Sequence, residues 1–312
     1  MVKKILEEKP LTQKEKKTRL KQKMALINKK AGKKVISMAT EATSRERIPF
    51  TSEELNTVTG GGIPMGAFSV LWGSKAAGKT SACYDLIANA QQRGLMCELF
   101  DFERSFDPVW AKTFGIDPEY LAIADFENAE AGMDNVVDVC RDGLVDLIVI
   151  DSIQGMCPKG EFETKKGKEK SLEDDTMALL PRRLSKFFPK AAPFVDSSNC
   201  AVVLIGQTRM DLGSFVVLEQ LSGGRALEHW SSLTMNCRRG QKANAPTKKV
   251  LNEKTEKNET VPIGFEMVAK INKSKVGADE GKEARLPFYF GSGFIKLEEK
   301  TNEEKQDSNE EK

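Results

Sequence analysis

The sequence predicts an α/β fold: a mostly parallel central sheet with antiparallel strands added at one side. Three observations predict it. Between residues 67 and 207, short apolar runs alternate with helical patterns, the signature of βαβ units covered on both faces. A G-x-x-x-x-G-K-[ST] segment, GSKAAGKT (73–80), sits between the first of these strands and the first of these helices. After residue 230 the helical patterns stop and apolar runs follow one another directly.

Taken in order, residues 1–46 are Lys-rich with scattered Leu, Ile and Met, and a helix near 13–30 has only a thin apolar stripe. This basic arm reads either as a solvated segment or as an oligomerisation segment that docks on another subunit or on nucleic acid. The composition changes at Ile48. TVTGGGIPMG (57–66) is turn-rich and leads into AFSVLWG (67–73), a buried strand. A helix runs from Lys79 to about Gln92 and stops at Gly94. MCELFDFE (96–103) is a strand, and DPVWAKTFG (107–115) a helix opened by Asp-Pro and closed by Gly. LAIAD (121–125) is a strand, 127–142 a helix, and VDLIVID (145–151) the clearest buried strand. Residues 174–188 are helical in pattern, and CAVVLIGQ (200–207) is a further buried strand.

SLTMNCRR (232–239), VPIGFEMVAKI (261–271), ARLPFYFG (284–291) and SGFIKL (292–297) read as the added antiparallel strands. Three stretches break the rhythm. Residues 157–173 and 208–224 follow the ends of core strands, where open α/β sheets bind ligands, and are read as functional. Residues 240–260 are read as a surface insertion. The expected division is a basic arm (1–46), a core (47–296) and an acidic, disordered tail (297–312).

The charge balance is deceptive. Lys and Arg number 48 against 46 Asp and Glu, a net charge of +2. Residues 1–47 nonetheless carry 15 basic against 5 acidic side chains, and residues 297–312 carry 3 against 7. A basic head and an acidic tail point to nucleic acid or self-assembly. No apolar run is long enough to span a bilayer, and the N-terminus lacks the apolar stretch of a secretory signal. The 6 cysteines are widely spaced without a CxxC pair, and there is 1 histidine. That argues against a zinc ribbon or a disulfide scaffold, and fits reduced thiols in the cytoplasm.

GSKAAGKT carries specific chemistry. Gly73 and Gly78 let the backbone of Ser74, Lys75, Ala76 and Ala77 wrap a phosphate with its N–H groups pointing inward. Lys79 reaches the β- and γ-phosphates, the Thr80 hydroxyl holds Mg²⁺, and the helix opening at Thr80 and Ser81 adds its dipole. Asp151, ending a buried strand, is the second Mg²⁺ residue. In DFERSFD (101–107), Glu103 is the choice for polarising the attacking water, with Asp101 and Asp107 as competitors. Trp110 either stacks on adenine or packs in the core.

With these residues in view, the chain resembles the RecA family of recombinases from about Arg47 to Phe294, with the UvsX-like phage type expected within it. The likeness rests on RIPFTSEELNTVTGGGIPMG, GSKAAGKT, DFERSFDPVWAKTFG, VDLIVIDS, NCAVVLIGQTRM, SGGRAL and NKSKVGA, in that order. It implies a RecA-like P-loop ATPase core using ATP and Mg²⁺. Glu103 would be the catalytic carboxylate and Gln207 the γ-phosphate sensor. Asp107 and Trp110 would hold adenine, Trp110 replacing the usual Tyr. Residues 157–176 and 208–224 would be two DNA loops, with Arg182, Ser185, Arg209, Gly223 and Gly224 at DNA-contact positions. Arg238 and Arg239 resemble a basic pair offered to the incoming duplex. Lys273 and Lys275 resemble lysines that complete the neighbouring subunit's ATP site.

The partners so implied are single-stranded DNA, homologous duplex DNA, further copies in a helical filament, and single-strand-binding and loading proteins. The implied location is the cytoplasm, that of a host for a phage protein. A hexameric helicase and an ATP-gated recombination mediator are the alternatives. The sequence departs from the pattern at Lys75, Gly206, Pro181 and Pro189 (with Lys190 as a substitute), and at His229, where an interface aromatic is usual. No large C-terminal domain is expected after residue 297.

Overall fold

The structure, a computed structural model, describes residues 10–41, 44–162, 179–211, 218–252 and 257–294. The chain divides into two units, Met1–Ser44 and Arg45–Lys312. In the first, α1 (Gln13–Ala31) opens on a reciprocal cap: the Thr12 hydroxyl accepts from the Glu15 N–H, and the Glu15 carboxylate accepts from the Thr12 N–H. It ends at Gly32 in the left-handed conformation. Leu20, Leu26 and Ile27 are exposed along it.

In the second unit β1 (Arg47–Ile48), α2 (Glu53–Thr59) and β2 (Ile63–Pro64) form a small antiparallel flap. Strand and helix then alternate through β3 (Ala67–Gly73), α3 (Lys79–Gln92), β4 (Cys97–Asp101), α4 (Pro108–Thr113), β5 (Leu121–Ala124), α5 (Ala129–Asp142) and β6 (Leu147–Asp151). A short α6 (Lys159–Phe162) and a long α7 (Leu179–Ser198) precede β7 (Ala201–Asp211), β8 (Leu218–Leu221) and α8 (Arg225–Trp230). The chain continues through β9 (Leu233–Arg239), β10 (Thr247–Asn252), β11 (Lys257–Pro262), β12 (Gly264–Ser274) and β13 (Glu283–Tyr289).

The main sheet runs β13-β12-β9-β3-β7-β6-β4-β5, with β8 beside the end of β7. From β9 to β5 every neighbouring pair is parallel. Alternation along the strands feeds two cores. Leu147, Val149, Val203 and Ile205 pack beneath α3 with Leu86 and Ile87. Ile148, Ile150, Val202 and Leu204 face the opposite layer with Phe187 and Phe188 of α7. Each of these fully buried aliphatic side chains contributes about 1.5–3 kcal/mol. A sheet covered on both faces leaves its strand ends as the exposed edge, and that edge carries the site.

Three expectations need correction. Residues 232–239 are not antiparallel to the core: β9 runs parallel to β3, and only β12 and β13 are antiparallel additions. The six-residue α8, too short to register as a periodic pattern, lies between β7 and β9 in this crossover. The helix expected to end at 188 runs to Ser198 despite Pro189 and Pro193. Burial of Ala191 and Val195 outweighs the lost N–H donors. The described residues of the expected surface insertion (240–260) are largely exposed, and β10 and β11 (to Pro262) pair there as a two-stranded sheet of their own. Of SGFIKL, the described residues 292–294 form an isolated bridge, Gly293 to Tyr289, in place of a strand. The expected tail (297–312), residues 163–176 of the first expected DNA loop and residues 212–217 of the second lie outside the described residues.

Candidate nucleotide site

β3 delivers its last residue, Gly73, against the backbone of β9. A Cβ at Gly73 would stand 1.9 Å from the Cys237 carbonyl oxygen, so the close approach requires glycine there. Gly78, left-handed at φ 88°, is the N-cap of α3. Between them Ala76 also takes a left-handed φ of 56°, and the loop closes over Lys79. The Lys79 ammonium is buried and donates to the carbonyls of Gly73 (3.2 Å) and Ser74 (2.7 Å). Burial lowers its pKa, opposed by Asp151 and Glu103 nearby.

β4 and β6 end in register, Asp101 beside Asp151. The Thr80 hydroxyl donates to Asp151 Oδ2 at 2.8 Å. Burial pushes the Asp151 carboxyl up to about 6, with Glu103 and Asp101 adding to the rise and the Thr80 hydrogen bond opposing it. The Asp151–Ser152 peptide is cis. A hydroxyl and a carboxylate side by side fit Mg²⁺, which takes one or two protein oxygens and completes its shell with phosphate and water.

The three acidic residues of 101–107 separate by what they touch. Asp101 is buried and accepts from the Ser105 and Phe106 N–H groups. Asp107 caps α4 by accepting from the Val109 and Trp110 N–H groups. Glu103 lines the cleft. Its Oε1 accepts from the Ser152 hydroxyl and from Gln207 Nε2 (3.2 Å). Gln207 is exposed at the end of the core part of β7, and its own N–H donates to Gln154 Oε1 at 3.0 Å. Trp110 packs edge-on to Phe114 at 5.0 Å against the core.

Lys79, Thr80, Glu103, Asp151 and Gln207 share a cleft of about 360 Å³, within the range of small-molecule sites, whereas Asp107 and Trp110 do not line it. The phosphate loop from Lys75 to Ser81 forms one wall, and Glu103, Asp151 and Gln207 the floor. The opposite wall was not foreseen: Phe265, Phe288 and Phe290, with Arg239. Phe288 and Phe290 stand two apart on and just beyond β13, a period visible in ARLPFYFG, which reads in the sequence only as an added strand. Phe290 is 53% exposed.

The other expected residues divide. Arg182 and Ser185 are exposed on α7, beside a surface hollow that they share with Lys186. Gly224 passes close to Pro181: a Cβ there would meet the proline's at 3.1 Å, so the flanks of the two expected loops adjoin. Arg209 lies on the β7 extension opposite Gln220 of β8, and Gly223 follows that strand. Lys190 does not stand free in place of the missing arginine, since Asp134 holds it at 2.6 Å. Lys273 and Lys275 lie outside the cleft. Lys273 donates to the Glu228 and His229 carbonyls, and Lys275 to that of His229 (2.6 Å). Burial and the nearby Lys275 lower the pKa of Lys273. Arg238 and Arg239 have different partners. Arg238 reaches the Glu283 carboxylate at 3.1 Å, whereas the Arg239 Nε–H donates to the Ala76 carbonyl at 2.8 Å.

Comparison with known proteins agrees with this arrangement. A family model described as the RecA N-terminal domain matches residues 18–295. Protein RecA of Mannheimia haemolytica is 31% identical over 280 residues, covering 88% of this chain and 71% of that protein. Protein RecA of Haemophilus ducreyi is 31% identical over 88% of this chain and 70% of its own length. For Protein RecA of Fusobacterium nucleatum the figures are 31%, 88% and 69%.

Proposed function

The chain belongs to the RecA family, and from that membership we propose that it is a DNA-dependent ATPase that assembles as a helical filament on single-stranded DNA and drives homologous pairing and strand exchange. The observation that carries the reading is the shared hydrogen-bonding of Glu103. One carboxylate at the phosphate loop is joined to Gln207, and Gln207 leads directly into the β7–β8 hairpin.

The chemistry follows from the residues. ATP enters with its phosphates against the N–H groups of residues 74–80, and the Lys79 ammonium exchanges two carbonyl partners for phosphate oxygens. Thr80 and Asp151 are the residues that would hold Mg²⁺, which neutralises phosphate charge when bound. Glu103 accepts a proton from the attacking water. Gln207 Nε2, now on Glu103, is the donor a γ-phosphate would recruit, and that exchange pulls on the first residues of the hairpin. Asp107 and Trp110 flank the base, with the Phe290 ring as a second apolar surface.

On the DNA side, Arg182 and Ser185 of α7, Arg209, and the Gly223–Gly224 turn line the path of the strand, and contacts to its backbone leave the base edges free to pair. Residues 1–46 supply the oligomerisation arm. Lys273 and Lys275 leave the α8 carbonyls to meet the triphosphate of the adjacent subunit, so that ATP becomes a charge-compensated joint between copies. A head-to-tail joint of this kind that does not close builds a helix.

The test is ATP turnover with and without single-stranded DNA, run beside a strand-exchange assay. Turnover should rise sharply with DNA, and binding should weaken steeply with salt. Turnover indifferent to DNA at low salt overturns the reading. Rings in place of filaments by electron microscopy would favour a helicase.

A further inference from the structure

β9 ends in two arginines whose side chains leave on opposite faces of the sheet, since successive strand residues alternate. Arg238 finds a carboxylate, with its Nη2 at 3.1 and 3.2 Å from the two oxygens of Glu283. Arg239 finds none. Among the described residues no acidic side chain lies in ion-pair range of it. The acidic residue nearest in sequence to its ring partner is Glu266, and that carboxylate is occupied by Asn244 (3.0 and 3.1 Å) and Arg285 (3.4 Å).

Arg239 is nonetheless fixed at two points. Its Nε–H donates to the Ala76 carbonyl at 2.8 Å, and its guanidinium carbon lies 4.3 Å from the Phe265 ring centroid. Ala76 is a left-handed residue of the phosphate loop. The two anchors set the plane of the guanidinium at the mouth of the cleft that holds Lys79, Thr80 and Glu103. Among the described residues, no other hydrogen bond engages its terminal amino groups. A cation with a fixed plane and unused donors is arranged for an anion with several oxygens. A cleft of about 360 Å³ admits a nucleotide and excludes a duplex.

We propose that Arg239 is a nucleotide-binding residue of its own subunit, bracing the phosphate loop through Ala76 and presenting its terminal N–H groups to the anionic oxygens of a bound nucleoside triphosphate. The proposal rests on the reading of the cleft as an ATP site, and it removes Arg239 from the surface offered to duplex DNA. It also gives the loop a support that senses β9, the strand between the phosphate loop and the Lys273-bearing β12.

The test is calorimetric titration of the full chain with Mg-ATP in the absence of DNA, for wild type, Arg239→Gln and Arg239→Lys. Glutamine can still donate to the Ala76 carbonyl but carries no charge. Lysine keeps the charge and loses the fork. Duplex capture by filaments is measured in parallel at saturating ATP. The expected result is ATP affinity weakened about ten- to a hundredfold in Arg239→Gln, the loss of a charge-assisted contact, and by only a few-fold in Arg239→Lys. Duplex capture at saturating ATP should persist in both. Equal losses in the two variants would mean that charge is not what matters and would overturn the proposal, as would wild-type ATP affinity in Arg239→Gln. Wild-type affinity with duplex capture lost would return Arg239 to the duplex surface. A wild-type protein that binds no ATP would instead sink the ATP-site reading itself, and this proposal with it.

Discussion

Replacing Asp151 by Asn should stabilise the nucleotide-free protein while destroying its response to Mg-ATP. Asp151 is 4% exposed, and its carboxyl is raised from the ordinary 3.8 to about 6. A carboxyl with a higher pKa in the folded chain holds its proton more tightly there. Below 3.8 both states are protonated and the effect vanishes. Between 3.8 and about 6 the unfolded chain releases its proton first, so folded stability falls as pH rises through that window and stays low above it. The full rise corresponds to roughly 3 kcal/mol against the ionised form. Relaxation around the charge reduces this, so Asp151→Asn should gain about 1–3 kcal/mol near neutral pH, with the Asn oxygen still accepting from Thr80. The assay is urea unfolding at about pH 7.5 and about pH 4.5, with and without Mg²⁺ and a non-hydrolysable ATP analogue. The advantage should shrink at the lower pH, and the analogue should stabilise wild type but not the variant. A variant no more stable at neutral pH, or one whose advantage grows in acid, refutes the reasoning.

Three further outcomes are expected. Glu103→Gln should lower DNA-stimulated turnover by about 10²–10⁴-fold with ATP affinity retained, in steady-state kinetics beside calorimetry; lost affinity would make Glu103 a binding residue instead. Lys273→Ala combined with Lys275→Ala should leave ATP binding by dispersed subunits intact and abolish assembly on single-stranded DNA with a non-hydrolysable analogue, as seen by electron microscopy. Filaments of normal length would remove the proposed trans role. Gly206→Asn should cost about 1–3 kcal/mol in urea unfolding, because its Cβ would stand 2.6 Å from a Leu221 methyl and 3.3 Å from the Trp72 Cβ; an unchanged midpoint would show that Leu221 is not held there.

What the sequence made legible was whatever repeats locally. Strand, glycine loop and helix at 67–92, and the continuous apolar runs ending at Asp151 and Gln207, come from short-range patterns that the tertiary structure kept. Partner choice was illegible. RR at 238–239 gives no sign that one guanidinium meets Glu283 and the other Ala76, because those partners lie 45 and 163 residues away. Lys190 looked available until α5 supplied Asp134. Glu103 is the choice over Asp101 and Asp107 in the sequence, but spacing alone gives no physical reason for that order. Their separation comes from backbone N–H groups that claim Asp101 and Asp107 for turn and cap and leave Glu103 to the cleft. The direction of β9 was misread because a crossover built from a hairpin and one short helix has no 3.6-residue period to find.

By the resemblance, Gly206 takes the place of an Asn next to the proposed sensor, and its neighbours answer what stands in for that support. The space beside Gly206 is taken by Leu221 of β8, backed by Trp72 and Ile153. The Gln207 N–H, which lies beyond it, is held by Gln154. Where an Asn would offer a polar side chain within β7, this chain has an apolar neighbour, Leu221, at the base of the hairpin. An Asn side chain could fix Gln207 whatever the hairpin does. Leu221 cannot, because it belongs to the hairpin and moves with it. Displacement of β8 by DNA would uncover Gly206, free the strand beside Gln207 and alter the 3.2 Å contact to Glu103. On this account the substitution tightens the link between polynucleotide and triphosphate, and Gly206→Asn should raise turnover without DNA relative to turnover with it.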